Sequence, residues 1–332
     1  MNKGFFLPQK PAEKIIGATN MAIREKSLNI GLFLDKYVVW WRERNELKCN
    51  YNVQVSILRK IQNSPNHIKK ILVDPRVNGR KFKDKILKDE RLSIPQSILP
   101  LQYYESYRKR MESLLKSLEQ MRLHVKSEKL PLLWRLAINL GASSVYETSL
   151  LFHRNYSVPY IPGSAVKGIT RHWAVQKFAE KFKELQKTSF EDAVRKVDNA
   201  LENGKDLRME LDGIKFKELI DIFGTQREKG KVIFFDALPI IEGNRDFIVL
   251  DVMNVHYGDY YQDESGKTPP GDWMNPTPIF FLAVEKGTKF RFSLASKCEN
   301  LARISMKLLK EALKNFGIGA KTSAGYGYFA EV

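Results

Sequence analysis

The run GIGAKTSAGYG, residues 317–327, sets two glycine pairs, Gly317 with Gly319 and Gly325 with Gly327, around Lys321, Thr322 and Ser323. An ammonium group and two hydroxyls in a row are donors suited to phosphate oxygens. Glycines at both ends admit unusual dihedrals and let another backbone come close. A nucleotide-binding P-loop is GxxxxGK[ST] after a strand and before a helix, so that the helix N-terminus faces the phosphates. Here Ala320 precedes Lys321, a helical pattern enters the loop and a strand pattern leaves it, which sets ATP hydrolysis aside. A helix-ending glycine accounts for Gly317 but not for four glycines.

A second group with phosphate chemistry is IPGSAVKGITRHW. At helical spacing Ser164, Lys167 and Arg171 share a face roughly opposite Val166, Ile169 and Trp173. Ser164 is the expected N-cap. The first two turns combine free N–H groups with the positive dipole end, an anion seat; the competing reading is a solvated basic face. Gly168 inside this helix costs about 1 kcal/mol relative to Ala, and the expected reason is close approach of RNA or of the glycine loop. His153 and Arg154 stand just before this segment, and His153 is the best single candidate for general acid–base chemistry. His256, Tyr257, Tyr260 and Tyr261 place four rings within six residues, either to stack on bases or to tack a loop onto its domain. The five histidines are scattered and Cys49 and Cys298 form no CxxC pair, so no metal, disulfide framework or other cofactor is expected.

The elements that must position these groups follow from periodicity. Residues 1–128 look helical and charged, as in LNIGLFLDKYVVWWRERNELK. PLLWRLAINLGA then reads as a strand, and IPGSAVKGITRHWAVQKFAEKFKELQ as an amphipathic helix in which Val166, Ile169 and Trp173, then Phe178, Phe182 and Leu185, recur at three- and four-residue spacing. FEDAVRKVDNALENGKD is a helical insertion at about 188–213. KVIFFDALPI and FIVLDVMNV are strands, a long Gly/Pro-rich loop covers 256–276, and IFFLAVEKG with TKFRFSLA suggests a hairpin. NLARISMKLLKEALKNF is a helix stopped by Gly317, and GYGYFAEV a short strand. Without insertions the order is β-α-β-β-α-β, an α+β, ferredoxin-like (RRM-like) arrangement.

Composition supplies the partner. Among 332 residues, 43% are apolar, enough for a core, and 55 basic against 38 acidic residues leave +17. The basic residues are spread along the chain, which favours a binding surface for a polyanion, nucleic acid first. There is no 18-residue apolar run and no signal-type N-terminus, so a cytoplasmic protein without a membrane partner is expected.

Four motifs in this order resemble the RAMP superfamily of CRISPR proteins: YIPGSAVKG at 160–168, FGTQREKGKVIFFDALP at 223–239, DVMNVHYGDYY at 251–261 and the glycine loop. Ala165-Val166 stands where Ser-Leu is more usual. DVMNVHYGDYY is most similar to the sixth-subunit family of the type III-B Cmr effector complexes. The resemblance implies a ferredoxin-like RAMP domain over 129–332 behind a helical, basic region at 1–128. It implies a non-catalytic RNA-binding subunit that holds guide RNA near its 3′ end. Implied partners are guide and target RNA, the repeated backbone RAMP subunit, the first subunit and the small helical subunit. The alternative is a metal-independent RAMP endoribonuclease acting on repeat RNA through His153, for which no acid–base partner stands out.

Overall fold

The computed structural model describes residue 21, 41–43, 46–48, 93–95 and 101–330 except 143, 145–147, 157, 243 and 244. In chain order the elements are β1 (Trp41–Glu43), β2 (Glu46–Lys48), β3 (Ser93–Pro95), α1 (Leu101–Gln120), β4 (His124–Pro131), α2 (Gly163–Gln186) and α3 (Phe190–Glu202). Then come β5 (Glu210–Leu211), β6 (Ile214–Lys215), α4 (Phe216–Phe223), β7 (Val232–Phe234), β8 (Leu238–Ile240), β9 (Asp246–Val255), α5 (Gly258–Gln262), β10 (Thr277–Val284), β11 (Lys289–Ser296) and α6 (Glu299–Asn315). The protein is a mixed α+β structure.

Two compact units share the chain, one made of 1–104, 138–158 and 242–285, the other of 105–137, 159–241 and 286–332. In the second, β11 is central. It pairs antiparallel with β4 over all eight residues of each strand, and its other edge takes β7 and then β8. An isolated antiparallel bridge joins Leu132, just past β4, to Phe329. Helices α2 and α6 pack side by side on this sheet. Phe290 and Phe292 are fully buried and both meet Phe329 edge-on, at 5.9 and 5.1 Å between ring centroids. Leu301, Ile304, Leu308, Leu309, Ala312 and Leu313 recur at three- and four-residue spacing on α6 and are buried, as are Val166, Thr170, Ala174 and Phe178 on α2. Each fully buried Leu or Phe of this kind stabilises the fold by about 1.5–3 kcal/mol. The Glu112 carboxylate fastens α1 to the sheet, accepting from Arg291 at 2.9 Å and from Arg108 at 2.8 Å.

In the first unit β9 pairs with β10 in a long antiparallel ribbon, and β3 pairs with the other edge of β9. Phe247, Ile248, Val249 and Phe281 through Val284 are buried, whereas Val252 and Asn254 are exposed.

Four expectations change. Trp41–Glu43 and Glu46–Lys48 form an antiparallel pair rather than helix, in keeping with the β-branched and aromatic run before them; most of the expected helical region lies outside the described residues. The strand expected in PLLWRLAINLGA lies earlier, at His124–Pro131, where only Leu130 is buried and the apolar alternation that marks a strand is missing. IFFLAVEKG and TKFRFSLA do not pair with each other: β10 pairs with β9, and β11 with β4, β7 and β8. Ser164 is not the N-cap of α2, because the helix already begins at Gly163 behind Pro162.

Candidate nucleic-acid interface

The start of α2 is built by two distant motifs that dock on each other. Ile161 and Ala237 exchange backbone hydrogen bonds of 3.0 and 2.8 Å. Between β7 and β8 the chain breaks its pairing, and Asp236 Oδ1 accepts from the Gly163 N–H at 2.7 Å. The negative group attracted by this helix end is thus the protein's own carboxylate. Gly163 is required here because a Cβ would collide with the carbonyl oxygen of Phe234. The Tyr160 phenol is pushed up by burial and then by the Asp236 charge.

Along the helix the expected basic face divides in two. Arg171 is paired with Asp198 at 2.6 Å and Glu202 at 3.5 Å, both on α3, so its charge locks two helices together. Lys167 makes no ion pair with any described residue, and its ammonium pKa is lowered, first by burial and then by the nearby Arg171. Ser164 and Gly168 are exposed. A Cβ on Gly168 would meet nothing within 4 Å, so the glycine loop is not its neighbour.

The glycine loop is clamped at both ends. Ile318 N–H donates to Gly327 at 2.9 Å, closing the neck of the loop. The neck is sewn to the strip after β4: Ala320 N–H donates to Ala137 at 2.8 Å, Gly327 N–H to Arg135 at 2.8 Å and Leu133 N–H to Tyr328 at 2.9 Å. Gly317, Gly319, Gly325 and Gly327 all have positive φ, from 68° to 97°. Between them Thr322–Ala324 form one 3-10 turn, entered through Lys321 at φ 60°, with Ser323 exposed and Thr322 half-buried. Phe316, which leads into the loop, packs on α2 at 5.2 Å from the His172 ring and 5.0 Å from Trp173. The Trp173 indole N–H donates to Glu311 on α6 at 2.9 Å. The structure therefore joins the loop's entrance to the turn of α2 that follows Lys167 and Gly168.

His153, Arg154, His256 and Tyr257 belong to the other unit. His153 Nδ1 accepts from the Asn155 N–H at 3.3 Å and its ring lies 4.6 Å from Tyr156. Arg154 and His256 are exposed, and Tyr257 precedes α5 with its ring 6.4 Å from His256. In the loop after α5 the Asp263 carboxylate accepts from Ser265, Lys267 and Thr268, and the bonds from Ser265 and Thr268 hold its pKa far below the usual carboxylate range. Among the described residues no group of three His, Cys, Asp or Glu is placed to hold a metal, and no helix is long and apolar enough to cross a membrane.

Two cationic features escaped the sequence reading. A shallow groove of about 430 Å³ between β4 and α6 is lined by Lys126, Arg303, Lys307 and Lys310, with Glu128, Glu311 and Met306. Arg303, Lys307 and Lys310 recur at helical spacing, a signal the sequence does carry. The other is Trp134, exposed on the strip that holds the glycine loop, with Arg135 and Lys286 each 5.4 Å from its ring centre.

A family model described as the RAMP superfamily matches residues 120–330. The chain belongs to the RAMP superfamily. Its matched span includes the Asp236-capped helix, the central sheet and the clamped glycine loop. A protein named CRISPR system Cmr subunit Cmr6, from Pyrococcus furiosus, is 35% identical to it over 96% of this chain and 99% of that protein. The crystal structure of Cmr6 from Pyrococcus furiosus shares 39% identity, covering 64% of this chain and 98% of its own, with a TM-score of 0.44. A chain in the cryo-EM structure of the type III-B Cmr-beta complex bound to cognate target RNA covers 95% of both chains at 20% identity, with a TM-score of 0.56. That last likeness is one of fold.

Proposed function

We propose that this RAMP protein is a non-catalytic, RNA-binding subunit of a type III-B Cmr complex, holding guide RNA near its 3′ end. The observation that carries the reading is the clamped glycine loop. A turn bearing Lys321, Thr322 and Ser323 is held at its neck by backbone bonds and entered through Phe316, which packs on His172 and Trp173 of α2. Such a pre-ordered array of donors binds phosphates with little loss of conformational freedom. The near full-length likeness to a protein named Cmr6 supports membership of the complex.

The domain from about residue 129 is read as ferredoxin-like: the sheet order 329-β4-β11-β7, antiparallel throughout and carrying α2 and α6, supports it. Proposed partners are guide RNA, target RNA, the backbone RAMP subunit, the first subunit and the small helical subunit, in the cytoplasm. By the same reading His256, Tyr257 and the loop to residue 276, with His153 and Arg154, are RNA contacts of the other unit in their own right. Cleavage of RNA requires both a base and an acid. No acid–base partner for His153 stands out in the sequence, which supports a contact role over catalysis.

Purification of the tagged protein from its host, with sequencing of bound RNA, tests the reading together with incubation of the lone chain with repeat RNA. Guide RNAs arriving with other RAMP subunits, and intact repeat RNA, are expected. Site-specific cleavage that disappears in His153→Ala would replace it with the processing-nuclease reading.

A further inference from the structure

Leu132, Leu136 and Ala137 are buried to 3% exposure or less, yet between them Leu133 is 57% and Trp134 41% exposed. An exposed indole is not explained by the core. Its backbone is fixed from both sides. Leu133 and Arg135, its two chain neighbours, bond Tyr328 and Gly327 at the neck of the glycine loop, while Leu132 exchanges bonds with Thr288 at 3.0 Å and Gly287 at 2.9 Å. The ring also carries two cations at 5.4 Å, the Arg135 guanidinium and the Lys286 ammonium. Cations at that distance are held by the ring's quadrupole.

We infer that Trp134 is a stacking platform for an unpaired nucleobase of the RNA whose phosphates run over the glycine loop. The inference rests on the RNA-binding reading above. An aromatic ring flanked by cations presents both halves of what single-stranded RNA offers, a π-face and a charged backbone. A nucleotide brings the ring and the negative charge together. Because every base has a π-face, the platform accepts any base, and because its backbone is already ordered, little freedom is lost on binding.

Fluorescence anisotropy with the full 332-residue chain decides the matter. A labelled single-stranded RNA is compared with an abasic ribose-phosphate strand of the same length, each titrated at several salt concentrations. The unaltered protein is expected to prefer the base-bearing strand. Trp134→Ala should weaken that strand about ten-fold or more, leave the abasic strand unchanged, and keep the same salt slope, since no phosphate contact is lost. Trp134→Phe should retain most of the preference, and thermal melting of both variants checks their folding. Equal weakening of both strands, or no weakening of either, overturns the inference while leaving RNA binding intact. Unchanged RNA binding by Trp134→Ala combined with loss of copurifying subunits also overturns it and makes the ring a protein contact. If the unaltered chain binds neither strand, the RNA-binding reading falls and the platform with it.

Discussion

At the scale of single residues, Gly319 and Gly325 separate what the glycine loop needs from what it presents. Gly319 has φ 97° and a Cβ there would collide with the Ala137 carbonyl oxygen; Gly325 has φ 88° but open space around it. Left-handed backbone costs about 1–2 kcal/mol for an L-residue, and the collision adds to it. Gly319→Ala should therefore destabilise the protein by about 2 kcal/mol or more in urea unfolding, whereas Gly325→Asn, a residue that tolerates this region, should change stability little. A second contrast lies on α2. Lys167→Ala should lower the log–log salt slope of RNA binding by about 0.7, one single-strand phosphate contact. Arg171→Ala should leave that slope alone, because its guanidinium is held by Asp198 and Glu202, and should loosen α2 from α3 by about 0.2–1 kcal/mol. An anisotropy titration against salt distinguishes the two. The positions of both residues on one face were legible from spacing, but the acids facing Arg171 stand 27 and 31 residues downstream, and only packing reveals them.

At the scale of elements, legibility followed burial pattern. Helices α2 and α6 have dense apolar stripes and were visible; β4 has one buried residue and was not. The hairpin read from IFFLAV and KFRFSL shows the limit of local patterning, since two apolar strands separated by a tight turn can each choose another partner. The junction of β7, β8 and α2 turns on Asp236. Asp236→Ala should cost about 1 kcal/mol through loss of the Gly163 cap, and Asp236→Asn, which keeps an acceptor but not the charge, should cost less. Thermal unfolding of the two variants measures this. The fastening of α1 is pH-dependent with a definite sign. Glu112 has its pKa lowered, first by the hydrogen bond from Arg291, so its contribution is fully present above the ordinary glutamate value of 4.5 and is lost as pH falls through the lower folded value. Glu112→Gln should melt below wild type at neutral pH, and the gap should close in acid. A gap independent of pH would assign the loss to packing.

For the whole molecule, a net charge of +17 spread along the chain indicated a polyanionic partner before any element was placed. What composition did not disclose is where those charges go. Some tie helices together, as Arg171 does. Others gather along α6 and beside the glycine loop. The division into two units was also hidden, because each is assembled from separated stretches and no linker-like segment marks a boundary.

The strip that carries Trp134 has a consequence for how the protein comes into being. Arg135 finds its partner in Gly327, roughly 190 residues further along, and β4 finds β11 almost as far away, which makes for slow closure during folding. On the ribosome this apolar strip is translated long before its partners exist. A nascent chain halted ahead of α6 would leave Leu132, Leu136 and Ala137 without cover, a target for chaperones and proteases. Quality control of this subunit is thereby coupled to completion of the glycine loop. A chain that lacks the clamped turn also lacks the backbone partners of Leu133 and Arg135.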